Sequence, residues 1–93
     1  MEARYEKEPS FVYRKIADEA ILVPIRRRTA DLASVFVLNE TAAFIWNLMD
    51  GSRTVGEIRD AVVREFDVAE EQAEADLADF VETCKQIDAV VLK

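Results

Sequence analysis

Val35-Phe36-Val37-Leu38-Asn39-Glu40-Thr41-Ala42-Ala43-Phe44-Ile45-Trp46 passes from strand chemistry to helix chemistry at a single residue. Val, Phe and Val suit a pleated, half-buried surface. Asn39 suits a helix N-cap, because its side-chain oxygen can accept an amide proton left unpaired at a helix start. From Ala42 to Met49 the chain is apolar almost all the way round, which predicts a buried first helix rather than a merely amphipathic one. Ahead of Asn39 the pattern reads as strands; beyond it come helices and a short tail. Strands first and helices after predict an α+β domain.

Working outward toward the N-terminus, Leu32 to Leu38 reads as a third strand. Val35 and Val37 point to one face, Phe36 and Leu38 to the other. Both faces are apolar, so both are expected to be covered. Phe11 to Ile16 reads as a first strand, Asp18-Glu19 as a tight turn, and Ala20 to Ile25 as a second strand. Pro24 cannot donate to a ladder and is expected at a sheet edge or a bulge. Short connections imply an antiparallel meander. Residues 1–10 read as a flexible, exposed lead-in ending at Pro9-Ser10, ahead of one domain over 11–93.

Toward the C-terminus, the first helix is expected over Glu40 to Asp50, stopped by Gly51 in a left-handed cap. Thr54-Val55-Gly56-Glu57 is a capping box and announces a second helix with Val55, Ile58, Val62 and Phe66 on one stripe. A third helix is expected to about Ile87, capped by Asp67 with Glu70 at its third position. Its apolar stripe is Ala73, Leu77, Phe80, Val81, Cys84 and Ile87. Val90-Val91-Leu92 closes the sequence as an apolar tail that could dock as a short strand. The architecture predicted is a three-stranded antiparallel sheet followed by three helices, winged-helix-like in its spacing.

Composition narrows the function. The chain has 93 residues, 51% apolar and 33% charged, with a net charge of −7 and no histidine. The commonest general base and metal ligand is therefore missing. One cysteine, Cys84, offers no internal disulfide, which fits a reducing compartment, and the cytoplasm is the expected location. Cys84 falls on an apolar stripe and reads as a core residue, with no partner for a dyad or a zinc pair. Gly51 and Gly56 each have a helix-terminus explanation, so no phosphate loop is expected. No catalytic residue, cofactor or metal is expected, nor a membrane span.

A DNA-reading helix-turn-helix is the alternative function, with the third helix in the major groove. Over Glu70 to Ile87 six acidic residues face one basic residue, Lys85, whereas phosphate contacts need the reverse. Arg26-Arg27-Arg28, in a predicted turn, reads either as a solvated turn that discourages aggregation or as a charge anchor for acidic side chains. What remains is the third strand. Nothing charged and no proline blocks Ala33 to Leu38, and such an edge invites another strand. The guest could be an extended peptide, the chain's own N-terminal segment, or a second copy in a homodimer.

Three segments carry a family resemblance: Leu38-Asn39-Glu40-Thr41-Ala42-Ala43-Phe44-Ile45-Trp46, Asp50-Gly51-Ser52-Arg53-Thr54-Val55-Gly56-Glu57-Ile58, and Phe66-Asp67-Val68 with Asp76-Leu77-Ala78-Asp79-Phe80. Together they resemble the PqqD family of small peptide chaperones in pyrroloquinoline quinone biosynthesis, with the related recognition domains of other modified-peptide pathways. The resemblance spans about residues 10–92. It implies a non-catalytic protein that binds the leader of a ribosomally made precursor peptide and presents it to a modifying enzyme, often a radical S-adenosylmethionine enzyme. It also implies that the leader adds as a strand along the third strand, beside the third helix. Carried over, this puts Ser34, Val35, Phe36, Val37 and Leu38 on the edge, and Ala73, Asp76, Leu77, Phe80 and Cys84 near the groove. Family leaders are often acidic, yet the third helix here is acidic on its exposed face. Either this leader carries basic residues, or its acidic ones reach toward Arg26, Arg27 and Arg28.

Overall fold

A computed structural model describes residues 2–9, 11–24 and 36–93. In chain order the elements are β1 (Arg4–Lys7), β2 (Phe11–Ile16), β3 (Glu19–Pro24), β4 (Phe36–Leu38), α1 (Glu40–Leu48), β5 (Asp50–Thr54), α2 (Val55–Phe66), α3 (Glu70–Gln86) and β6 (Val90–Leu92). The expected meander is present as an antiparallel sheet in the order β2-β3-β4, and three helices follow it. The mixed α+β class holds. Of a second three-stranded sheet, β5-β1-β6, only the C-terminal strand Val90–Leu92 has a counterpart in the sequence pattern.

That second sheet corrects the expectation of an exposed lead-in. Arg4–Lys7 form its middle strand, paired with β5 on one side and β6 on the other. Lys7 fastens the strand to the body: its Nζ donates to the Met49 carbonyl at 3.1 Å and lies 5.8 Å from the centre of the Trp46 ring. The end of α1 has no basic residue of its own, so Lys7 brings a positive charge to the negative pole of that helix. Partial burial pushes the Lys7 ammonium below its usual range, against the attraction of Asp50.

Helix ends explain most of the remaining differences. Asn39 caps α1 as expected, its Oδ1 accepting from the Ala42 amide at 2.8 Å. The helix stops earlier than expected, at Leu48 with Met49 as cap. Gly51 does take a left-handed φ of +84°, but within β5, where a Cβ would meet Lys93 Cδ at 3.0 Å and Glu6 Cβ at 3.3 Å. The positive φ is what favours glycine there, and the approach of β5 to Glu6 and Lys93 across an irregular register leaves little room for a side chain. Thr54 and Glu57 form the capping box, at 3.1 and 2.8 Å. Asp67 does not cap α3; it ends α2 in the left-handed conformation, and Ala69 opens α3 without a side-chain bond. At its far end α3 closes with Asp88 left-handed (φ 61°), the Ala89 amide bonded to the Cys84 carbonyl and the Asp88 amide to that of Lys85. This Schellman arrangement reverses the chain and delivers β6 to β1.

One core lies between the β2-β3-β4 sheet and the helices. Trp46, Leu22, Ile45, Met49, Ile58, Leu77, Val62 and Cys84 are fully buried. Each large apolar side chain among them contributes roughly 1.5–3 kcal/mol by leaving water. Phe44 and Phe66 meet edge to face at 5.4 Å, joining α1 to α2. Arg59 of α2 reaches Glu74 at 3.0 Å and Glu70 at 3.5 Å on α3. Pro24 stands at the last position of β3, beyond the described pairing with β4, so its missing donor breaks no described rung. β3 is the middle strand of the described sheet, whereas the sequence suggested a sheet edge or a bulge at this position.

Candidate functional site

β4 is an edge. Among the described residues it pairs with β3 alone, and the N-terminal segment, which could have covered it, is engaged in the other sheet. The direction of its main-chain groups follows from the hairpin two strands away. β2 and β3 are joined by Ala17 and Asp18, with Ala17 at φ 56° and Asp18 at no positive angle. A two-residue loop of this kind is closed by a hydrogen-bonded pair, here Ile16 with Glu19. Bonded and non-bonded pairs alternate from there, so Glu19, Ile21 and Val23 serve β2 while Ala20 and Leu22 serve β4. Their partners Leu38 and Phe36 therefore use their main-chain groups inward. Val37 lies between them and turns its N–H and C=O to the open side.

Side chains alternate across the same three residues. Leu38 is buried and Phe36 half-buried, both on the core face. Val37 is 65% exposed on the other face. The expectation that both faces would be covered fails at this residue: Phe36 and Leu38 face the core shared with the helices, and Val37 faces away from it.

Below the open edge runs a groove of about 480 Å³. Phe36, Val37 and Leu38 form its rim, and Asn39, Thr41, Ala42 and Ile45 continue the wall along the start of α1. Asp76, Asp79, Phe80 and Thr83 of α3 form the opposite wall. Residues three, four and seven apart share one helix face, and this face looks into the groove. The neighbouring face is core: Ala73, Leu77 and Cys84 are buried and line no part of the groove. Among the residues expected at the site, Phe36, Val37, Leu38, Asp76 and Phe80 therefore come together. Asp79, Thr83, Thr41, Ala42 and Ile45 join them without having been singled out. A one-step rotation of the helical wheel from Asp76 and Phe80 would have found Asp79 and Thr83. Ser34, Val35, Arg26, Arg27 and Arg28 lie outside the described residues.

Burial pushes the Cys84 thiol up to about 12, so it stays protonated and unreactive in the core. Among the described residues no group of three His, Cys, Asp or Glu side chains could hold a metal ion, and no helix is long and apolar enough to cross a membrane. An outward donor and acceptor on a strand edge, above a groove with apolar and carboxylate walls, is equipped to take an extended chain by strand addition.

Comparison with known proteins places the fold. The family model for PqqD, coenzyme PQQ synthesis protein D, matches residues 19–90, and the chain belongs to that family. A solved structure, TbiB1 in complex with the TbiA(beta) leader peptide, is similar over 91% of this chain and 93% of its own, with 25% sequence identity and a TM-score of 0.73. No curated protein matches the sequence. Neither match supports the DNA-reading alternative.

Proposed function

We propose that this chain is a non-catalytic recognition protein that holds the leader segment of a ribosomally synthesised precursor peptide as an added strand on β4. The observation that carries the reading is the open β4 edge, with the Val37 N–H and C=O directed away from β3, over the groove against α3. Membership of the PqqD family and similarity to a protein solved with a leader peptide support it.

Physically, the protein supplies main-chain partners that a disordered leader lacks in solution. Tethering the leader leaves the rest of the precursor free while raising its concentration at a partner enzyme. That partner is a peptide-modifying enzyme of the radical S-adenosylmethionine type, and the encounter takes place in the cytoplasm, where precursors are made. Ordering the leader costs entropy, so affinity is moderate for the area covered. A homodimer formed through the same edge would compete with the peptide.

Titrating a fluorescent peptide, spanning the leader of a precursor encoded near this gene, into wild-type protein and Val37→Pro tests the reading. Proline removes the outward donor and puts a ring on the edge, while the Phe36 and Leu38 bonds to β3 remain. Binding weakens by roughly tenfold or more, with the circular dichroism of the fold retained. Unchanged binding by a well-folded Val37→Pro protein would contradict it.

A further inference from the structure

The wall facing β4 carries charge of one sign. Asp76 and Asp79 stand one helical turn apart in the groove, beside Phe80. Asp76 accepts from Gln72 Nε2 at 2.9 Å, and among the described residues no Lys or Arg forms an ion pair with either carboxylate. The chain as a whole carries −7. We infer that the occupant of this groove is a cationic extended peptide, with Lys or Arg side chains directed at Asp76 and Asp79. The inference rests on the strand-addition reading and specifies which leaders it admits.

The register says where those cations fall. A guest residue opposite Val37 sends its side chain to the Val37 face, away from α3. The guest residues on either side send theirs to the Phe36 and Leu38 face, toward α3. Side chains that meet the carboxylates therefore recur at every second position. A Lys or Arg at one of them can lay its aliphatic stem along Phe80 and carry its head to Asp76 or Asp79. An acidic residue there would add a third negative charge at short range and be repelled, although water at the exposed Asp79 weakens the effect. The same wall thus attracts one class of leader and repels the other.

Panning a phage-displayed library of short random peptides on the immobilised full chain tests this, followed by anisotropy titration of the selected sequences. Selected peptides should carry Lys or Arg at alternating positions among apolar or β-branched residues, and should lose affinity as salt rises. Changing Asp76→Asn together with Asp79→Asn should weaken them roughly tenfold. The same double change should leave the binding of a Lys→Gln version of each peptide as it was. Selection of acidic or uncharged peptides, or full affinity in the double variant, overturns the charge assignment. Val37→Pro separates this from the underlying reading. Peptides that lose affinity on Val37→Pro but ignore both aspartates sink only the charge assignment. Peptides indifferent to Val37→Pro, or an empty selection, sink strand addition along with it.

Discussion

The two sheets of this small domain are built on opposite plans. β2-β3-β4 is assembled from neighbours in the chain, with apolar and β-branched residues, and β4, one of its two edge strands, stands above a groove. β5-β1-β6 is gathered from the N-terminal region, the connection between α1 and α2, and the residues after α3, in the segments RYEK, DGSRT and VVL. Its middle strand is held from both sides, and long-range contacts such as Lys7 to the Met49 carbonyl tie it down. In the first sheet the strand at the groove presents main-chain groups; in the second the middle strand, β1, has them consumed on both sides. Separating these tasks lets an edge stay available without leaving the fold loose.

Proline is the sharpest way to break that comparison, since one chemical change should have opposite consequences in the two sheets. Glu6 faces β6 in the ladder, as the Glu8 amide bond to Ala89 and the Lys93 amide bond to Arg4 fix by alternation. Glu6→Pro removes an inner rung and should cost on the order of 3 kcal/mol, visible as a large drop in the urea midpoint. Val37→Pro removes only an outward donor and should cost about 1 kcal/mol or less. Equal losses from the two would erase the distinction between a consumed and a presented strand.

Next in size is Gly51→Ala, which forces a side chain into left-handed backbone against Glu6 and Lys93. A loss of about 1–2 kcal/mol is expected in the same assay, with peptide binding unchanged. Smaller, and of opposite sign, is Ala17→Gly in the hairpin of the presenting sheet. Relief of the positive φ at Ala17 should stabilise the fold by about 0.5–1 kcal/mol, and the register that aims Val37 outward should survive it.

The smallest effect is acid sensitivity in the consuming sheet. Bonds from the Ser52 amide and hydroxyl, with help from the Arg53 amide and guanidinium, hold the Asp50 carboxyl down to about 2 from its ordinary 3.8. A depressed folded value means that its contribution is present above about pH 4 and fades as pH falls through about 2. Thermal melts of Asp50→Asn against wild type across that window should converge at the acid end. A gap that persists below pH 2 would contradict the assignment.

How much was legible in the sequence follows the same division. The meander, the Asn39 cap, the Thr54–Glu57 box and the core stripe of α3 were all readable, because each is encoded within a few residues by pattern or cap chemistry. β1 and β5 were not. Arg4–Lys7 has no apolar alternation, and Asp50-Gly51-Ser52 reads locally as a turn; only pairing across the whole chain makes them strands. Asp67 misled for a related reason, since one aspartate between two helices can serve either end and tertiary context chose the first. At the groove, strand parity was predictable, whereas the rotation of α3 that favours Asp79 and Thr83 over Ala73 and Cys84 depends on how the helix rests on the core.

Amide hydrogen exchange, residue by residue along β4, bears on the central claim most directly. In the free protein Phe36 and Leu38 should be protected by β3 while the Val37 amide exchanges freely. Saturation with a bound leader peptide should slow Val37 and leave its neighbours as they were. A Val37 amide already protected without peptide, or one still fast in the saturated complex, would contradict the account.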